Sequence, residues 1–244
     1  MPRKLPDATK KEAMIERMRA IRLPFFNHWR ELADYYLPRR YVWLLNEQES
    51  ARRISKNSYI LDSTGTSAAR TLASGMMNGI TSPARPWFKL RVPTIPEEDQ
   101  EIGAWLDEVE RRMMFVMASS NFYNALAVMY LDLVIFGTAA MLVYEDYHSV
   151  IHCYNPALGE YFLGQDNRLR VNTFAREFNY TVQQCVTQFG IENVSDSVAM
   201  KYRQGGASLH ENVKIVHLIE PNDPPIAGLA RRFAFREIYW EAGQ

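Results

Sequence analysis

The prevailing hydrophobic period of this chain changes at Gly137-Thr138, and that change limits the folds open to it. Before it, apolar residues recur at helical spacing, as in Phe122, Ala125, Leu126, Met129, Tyr130 and Leu133. From Ala139 onward they alternate with a period of two. The fold class therefore reads as mixed α+β, with N-terminal helices followed by a β-rich region. Ala125 to Tyr144 is also a 20-residue run whose sole charge is Asp132, the length of a bilayer span. An acid near its middle costs about 2.5–3.5 kcal/mol on insertion, and neither flank offers a basic anchor between Met113 and Asn167. A core helix followed by a buried strand fits better. A membrane-associated protein is kept as a competing reading.

Helices are expected over Asp7 to Leu23, with Ala13, Met14, Met18 and Ile21 facing the core, and over Pro24 to Leu37, with Pro24 as a break or kink. Arg39 to Lys56 resists assignment. Asp62, Ser63 or Thr64 caps a helix whose apolar stripe is Ala69, Leu72, Ala73, Met76 and Met77. Its many small residues suggest a central position. Trp87 to Val92 alternates like a short strand. The next helix opens on acids and carries Ile102, Trp105, Leu106, Val109, Met113, Val116 and Met117 as its stripe. Strands follow near Met141–Tyr144, Val150–Tyr154, Glu160–Leu163 and Leu169–Arg176, with Asp166-Asn167 at a hairpin tip. Two short helices begin at Thr181 and Ser195, and strands over Val213–Ile219 and Arg231–Tyr239 complete the pattern. The expected division is 1–60, helical and basic, and 61–244, mixed α/β.

Composition excludes several classes. With 47% hydrophobic and 23% charged residues the chain is foldable, and 12 Gly and 12 Pro exclude collagen-like and low-complexity architectures. Cys153 and Cys185 cannot build a disulfide framework. Free thiols are expected, with one isolated bridge left open. The N-terminus lacks the apolar core of a secretory signal. Net charge is zero, yet residues 1–60 carry 13 basic and 7 acidic groups while 92–146 carry 2 and 10. Such polarity suits a polyanion, contact between unlike faces of two copies, or neutralisation within one subunit.

Motifs for chemistry are sparse. Leu61 to Ala68 has the glycine and hydroxyls of a phosphate loop without its Gly-Lys-Ser/Thr core, and reads as a helix cap. His148 and His152 sit about 13 Å apart on a strand, too far to share one zinc with Cys153. Glu97, Glu98, Asp99 and Glu101 resemble a metal cluster, but only Glu101 shares a helix face with Glu97 or Glu98. They read as a solvated helix start, with a metal-dependent enzyme acting on DNA as the alternative. Arg39, Arg40, Arg52, Arg53 and Lys56, interleaved with Tyr41, Trp43 and Tyr59, are the candidate contacts to phosphate or to a neighbouring subunit. No catalytic, metal or cofactor-binding residue is named.

Several strings in one order resemble the head-to-tail connector, or portal, proteins of short-tailed bacteriophages. They are Trp29-Arg-Glu-Leu-Ala-Asp-Tyr-Tyr-Leu-Pro38, then Leu61-Asp-Ser-Thr-Gly-Thr-Ser-Ala-Ala-Arg-Thr-Leu-Ala-Ser-Gly75 running on through Met76 to Pro83, and Trp87-Phe-Lys-Leu90. Further along come Trp105-Leu-Asp-Glu-Val109, Ser120-Asn-Phe-Tyr-Asn-Ala-Leu126, Phe136-Gly-Thr138, Gly159-Glu-Tyr161, Gln188-Phe-Gly190, and Val216-His217 before Pro221. The resemblance implies a structural, non-enzymatic subunit of a ring, commonly of about twelve copies, at one vertex of the virion. Viral DNA would pass through the ring without sequence specificity during packaging and ejection. The terminase motor, the capsid and tail or adaptor proteins are the implied partners, and assembly would occur in the host cytoplasm. The motor supplies ATP hydrolysis, so the resemblance implies no cofactor here. The matched part resembles the wing region, and the stem, clip and crown of longer family members have no counterpart pattern before Gln244.

Overall fold

The computed structural model describes residues 8–37, 60–92, 100–222 and 233–243. Two compact units divide the chain, one of residues 1–27 with 159–244 and the other of 28–158. Mixed α+β architecture is observed, with helices first and antiparallel strands after them.

The first unit is built on a four-stranded antiparallel sheet in sequential order: β3 (Tyr161–Gln165), β4 (Val171–Thr181), β5 (Asn212–Pro221) and β6 (Phe235–Glu241). Register places Tyr161 opposite Arg176, Arg176 opposite His217, and His217 opposite Tyr239. Both faces of this sheet are covered. Helix α1 (Ala8–Tyr36), through its first twenty residues, lays Ile15 and Met18 against Phe162, Ala175, Val216 and Leu218. On the opposite face, helices α5 (Val182–Phe189) and α6 (Asp196–Gln204) pack Val182, Cys185, Val198 and Ala199 on Ile215. That arrangement explains why Ile215, Val216, His217 and Leu218 are all buried in succession, since a strand covered on both sides has no solvent face.

The short elements follow their expected caps closely. Thr181 and Gln184 form a reciprocal capping box at the start of α5. Ser195 caps α6, and its hydroxyl and backbone N–H donate to the Glu241 carboxylate at 2.7 and 2.8 Å, which ties the end of β6 to the start of that helix. At the β3–β4 hairpin tip the Asp166 carboxylate accepts from the N–H groups of Arg168 and Arg170. These bonds, the Arg170 N–H first, hold its pKa below the usual carboxylate value.

Helix α1 departs from expectation twice. It runs unbroken through Pro24 rather than ending there. Proline removes one hydrogen bond to Ala20, a residue exposed enough for water to satisfy the carbonyl, while the packing of Ile15 and Met18 on one side and of Ala33 on the other holds the flanks. Of the expected stripe Met14 and Met18 face the core, whereas Ala13 and Ile21 do not, Ile21 being 60% exposed; the sheet-facing stripe is buried Lys11, Ile15 and Met18 with half-buried Met14 and Arg22. Lys11 pairs with Glu220, which also takes Arg236, and Arg19 pairs with Glu177. Arg22 donates to the carbonyls of Gly159 at 3.0 Å and Tyr161 at 2.8 Å, and its guanidinium lies 4.0 Å from the centre of the Phe162 ring. Burial pulls its pKa down to about 10, so it remains charged at neutral pH.

The second unit contains the rest of α1, then helices α2 (Thr64–Ile80), α3 (Gln100–Ser119) and α4 (Phe122–Phe136), and the hairpin β1 (Leu142–Asp146) with β2 (Val150–Tyr154). Its core joins Ala73 of α2 to Leu126 and Tyr130 of α4, with Met76, Met77 and Phe122 around them. Gly137 closes α4 in a left-handed conformation, φ 72°, which is why the helical period stops there. Among the described residues no helix is long and apolar enough to cross a membrane, and Asp132 is buried within α4. Asn121 ties the start of α4 to β2 through a pair of 2.8 Å bonds with the backbone of Cys153.

Three expectations fail in this unit. Helix α2 is covered on one side rather than all round: Ala73, Met76 and Met77 pack on α4, whereas a Cβ at Gly75 or Gly79 would meet open space, and only at Gly65 would an added Cβ be crowded, 2.9 Å from the Tyr36 ring. Small residues ring that helix on all sides, so their density says little about which side is covered. Residues 87–92 form no strand. Trp87 instead stacks on Phe122 and donates to the Tyr123 hydroxyl at 3.1 Å, so side-chain packing fixes this segment rather than a ladder. On α3 only Met117 is fully buried, and Trp105 lies outside the covered stripe.

The sheet-facing stripe of α1 gives a paired test. Arg22→Ala leaves the Gly159 and Tyr161 carbonyls without this donor and is expected to cost about 2–3 kcal/mol in urea unfolding. Ile21→Ala should stay within about 0.5 kcal/mol. Equal losses from the two would contradict the assigned face.

Candidate functional site

Arg39, Arg40, Arg52, Arg53 and Lys56, with Tyr41, Trp43 and Tyr59, lie outside the described residues, as do Glu97, Glu98 and Asp99. Among the described residues no three His, Cys, Asp or Glu side chains gather at metal-binding distance. Cys153 and Cys185 are free, buried thiols, and burial pushes Cys185 up to about 11. Such a thiol is a poor nucleophile at neutral pH.

The segment before α2 is occupied by its own carboxylate. Asp62 accepts from the Thr64 hydroxyl at 2.6 Å and the Thr64 N–H at 3.0 Å, and these bonds lower its pKa. An anionic side chain therefore already sits where a phosphate would have to approach, and the Tyr36 ring closes on Gly65.

The charged cluster that the sequence did not reveal lies across strands β4, β5 and β6, with Glu160 joining it from the turn just before β3. The His217 side chain is fully buried. Its Nδ1 accepts from Arg176 Nε at 3.0 Å, which leaves the ring proton on Nε2, 2.7 Å from Glu237 Oε1. The Tyr239 hydroxyl donates to that same carboxylate at 2.7 Å, and its ring lies flat on the imidazole, centroids 4.2 Å apart and 5° from parallel. Arg176 reaches Glu160 at 3.5 Å and lies over the Phe178 ring. Cross-strand register makes this possible, because directly opposed residues share one face of the sheet.

Burial first, then the Arg176 charge, pulls the His217 pKa down to about 4, against the pull of Glu237. The arrangement braces strands rather than performing chemistry, since a general base needs an open approach to a substrate proton. A histidine inside the apolar run Val213 to Ile219 was the one available signal for it.

The sign of its pH dependence follows directly. An unfolded chain takes up the His217 proton near pH 6.5 and the native state only near 4, so the stabilisation is complete above pH 6.5 and is lost as pH falls through 4. The loss is on the order of 3 kcal/mol at 1.36 kcal/mol per unit. Urea unfolding at pH 7 and 4.5 should show a smaller difference in His217→Gln than in the wild type. Identical differences would show that His217 titrates normally.

Comparison with known proteins identifies the family. A family model described as bacteriophage head to tail connecting protein matches residues 8–244. The chain is 39% identical over 246 positions to a protein named probable portal protein from Bordetella phage BPP-1, covering 98% of this chain and 43% of that one. It is also 39% identical over 241 positions to the portal protein of Salmonella phage epsilon15, covering 96% and 43%. The chain thus spans less than half the length of these relatives. It belongs to the family of bacteriophage head-to-tail connecting proteins.

Proposed function

We propose that this chain is a portal subunit, or the N-terminal part of one, and a structural component of the ring through which viral DNA enters and leaves the capsid. The observation that carries the reading is 39% identity, over nearly the whole chain, to two proteins named as portal proteins. Its location is the portal vertex of the virion, after assembly in the host cytoplasm, and its role is mechanical rather than enzymatic. The partners are copies of itself, about twelve to a ring, with the terminase motor, the capsid and tail or adaptor proteins around them. DNA is contacted through phosphates, without sequence readout, and Arg39, Arg40, Arg52, Arg53 and Lys56 are the proposed phosphate or subunit contacts.

The charge pattern supports contact between unlike faces of neighbouring subunits. Basic residues before position 92 would meet acids between 97 and 146 of the next copy. Raising salt from about 0.05 to 1 M shortens the Debye length from about 14 to 3 Å and should dissociate rings of the purified chain. Rings indifferent to salt would remove the electrostatic account. The location is tested separately by an affinity tag imaged on intact virions, where the label should mark one vertex. A label spread over the shell, or missing from the particle, would overturn the portal reading.

A further inference from the structure

Helix α3 turns a patterned seam to solvent. Trp105 is 63% and Phe115 72% exposed, and the side chains of Arg111 and Arg112 are about three-quarters exposed. At 100° and about 1.5 Å per residue, Glu101, Trp105, Glu108, Arg112, Phe115 and Ser119 fall in one sector about 80° wide along roughly 27 Å of helix. Their spacing is 4-3-4-3-4, the a and d positions of a heptad. The covered stripe of Leu106, Val109 and Met117 lies on the other side.

This seam is self-complementary when reversed. Each of the pairs 101 and 119, 105 and 115, and 108 and 112 is centred on position 110. An antiparallel second copy would therefore set Glu101 against Ser119 at the two ends, Trp105 against Phe115 in the layers inside them, and Glu108 against Arg112 in the two middle layers. The a position of one helix meets the d position of the other throughout, as antiparallel packing requires. A parallel pair would instead oppose Glu108 to Glu108 and Arg112 to Arg112, a like-charge penalty that selects the reversed orientation. Within one chain Glu108 is shared between Arg111 and Arg112, so one arginine remains available when a second helix arrives. Exposed tryptophan and arginine are also the residue types that most often anchor protein contacts.

We propose that the outward face of α3 is a two-fold contact surface whose occupant is α3 of a second copy of this chain, paired antiparallel about position 110. The contact is isologous, whereas ring contacts between neighbours are heterologous, so it is additional to the ring reading and independent of it. One helix pair lies at the small end of specific interfaces, so the dimer should dissociate in the micromolar range.

Sedimentation of the full chain between about 1 and 300 µM should show a reversible dimer, or dimers of any larger assembly. Trp105→Ala and Phe115→Ala should each weaken it at least about tenfold, with far-UV circular dichroism unchanged because both side chains are exposed. Glu108→Arg and Arg112→Glu should each weaken it, and the double variant E108R/R112E should return it to within about threefold of wild type. Register is read separately by disulfide trapping. A mixture of Glu101→Cys and Ser119→Cys chains should cross-link on mild oxidation, and each alone should not, since the native thiols are buried. A wild type monomeric throughout that range, an assembly insensitive to both aromatic truncations, or cross-linking of Glu101→Cys with itself would each overturn the proposal. The virion label described above is untouched by any of these outcomes, so the portal reading stands or falls by itself.

Discussion

A sheet covered on both faces has no place to hide an unpaired polar group, and this constraint shapes the whole first unit. Strand β5 passes four consecutive buried residues through the middle of that sheet, and one of them is a histidine. Its burial is tolerable because Arg176 satisfies one ring nitrogen, the Glu237 carboxylate lies 2.7 Å from the other though outside hydrogen-bond alignment, and Tyr239 lies across the ring. Register does the positioning: three directly opposed residues on β4, β5 and β6 bring the group together without any loop. The opposite face obeys the same rule, since each acid turned toward α1, Glu177 and Glu220, meets a cation of that helix.

Much of the fold was legible in the sequence wherever local chemistry decides. The capping residues Thr181 and Ser195, the terminator Gly137 and the Asp166 hairpin act within a few positions of themselves, and each occurs as its pattern indicated. The strands after Ala139 were readable because alternation survives even when both faces are covered. What could not be read was anything settled by distant partners. The sheet-facing stripe of α1 contains Lys11 and Arg22, and a hydrophobic pattern passes over charged residues because it has no knowledge of Glu220 or of the Gly159 and Tyr161 carbonyls. Trp87 to Val92 alternates correctly but pairs with no strand among the described residues, so alternation alone does not make a ladder. The sequence-nominated basic cluster of residues 39–56 lies outside the described residues, while the buried cluster around His217 carried a single visible sign.

Helix α3 shows the same limit from the other direction. Its heptad-like seam is present in the sequence, yet only the exposure of Trp105 and Phe115 tells it apart from the stripe that packs inward. An apolar stripe and an interaction seam have the same period. Burial alone distinguishes them, and burial belongs to the tertiary structure.

Residues 28–158 form one continuous unit, while the other is assembled from two separate segments, 1–27 and 159–244. On a ribosome adding about 5–20 residues per second, the first 27 residues would wait about 10–40 s before β6 is made. During that time the Lys11, Ile15, Met18 and Arg22 stripe has no sheet to lie on, and it lacks the tertiary packing from which most helical stability in proteins comes. The intervening unit, by contrast, has its whole sequence available first. Order of synthesis therefore favours a nascent chain that completes residues 28–158 before the unit formed by 1–27 and 159–244. Closing the discontinuous unit becomes the late, long-range step, and the segment left waiting is one for which host chaperones could compete.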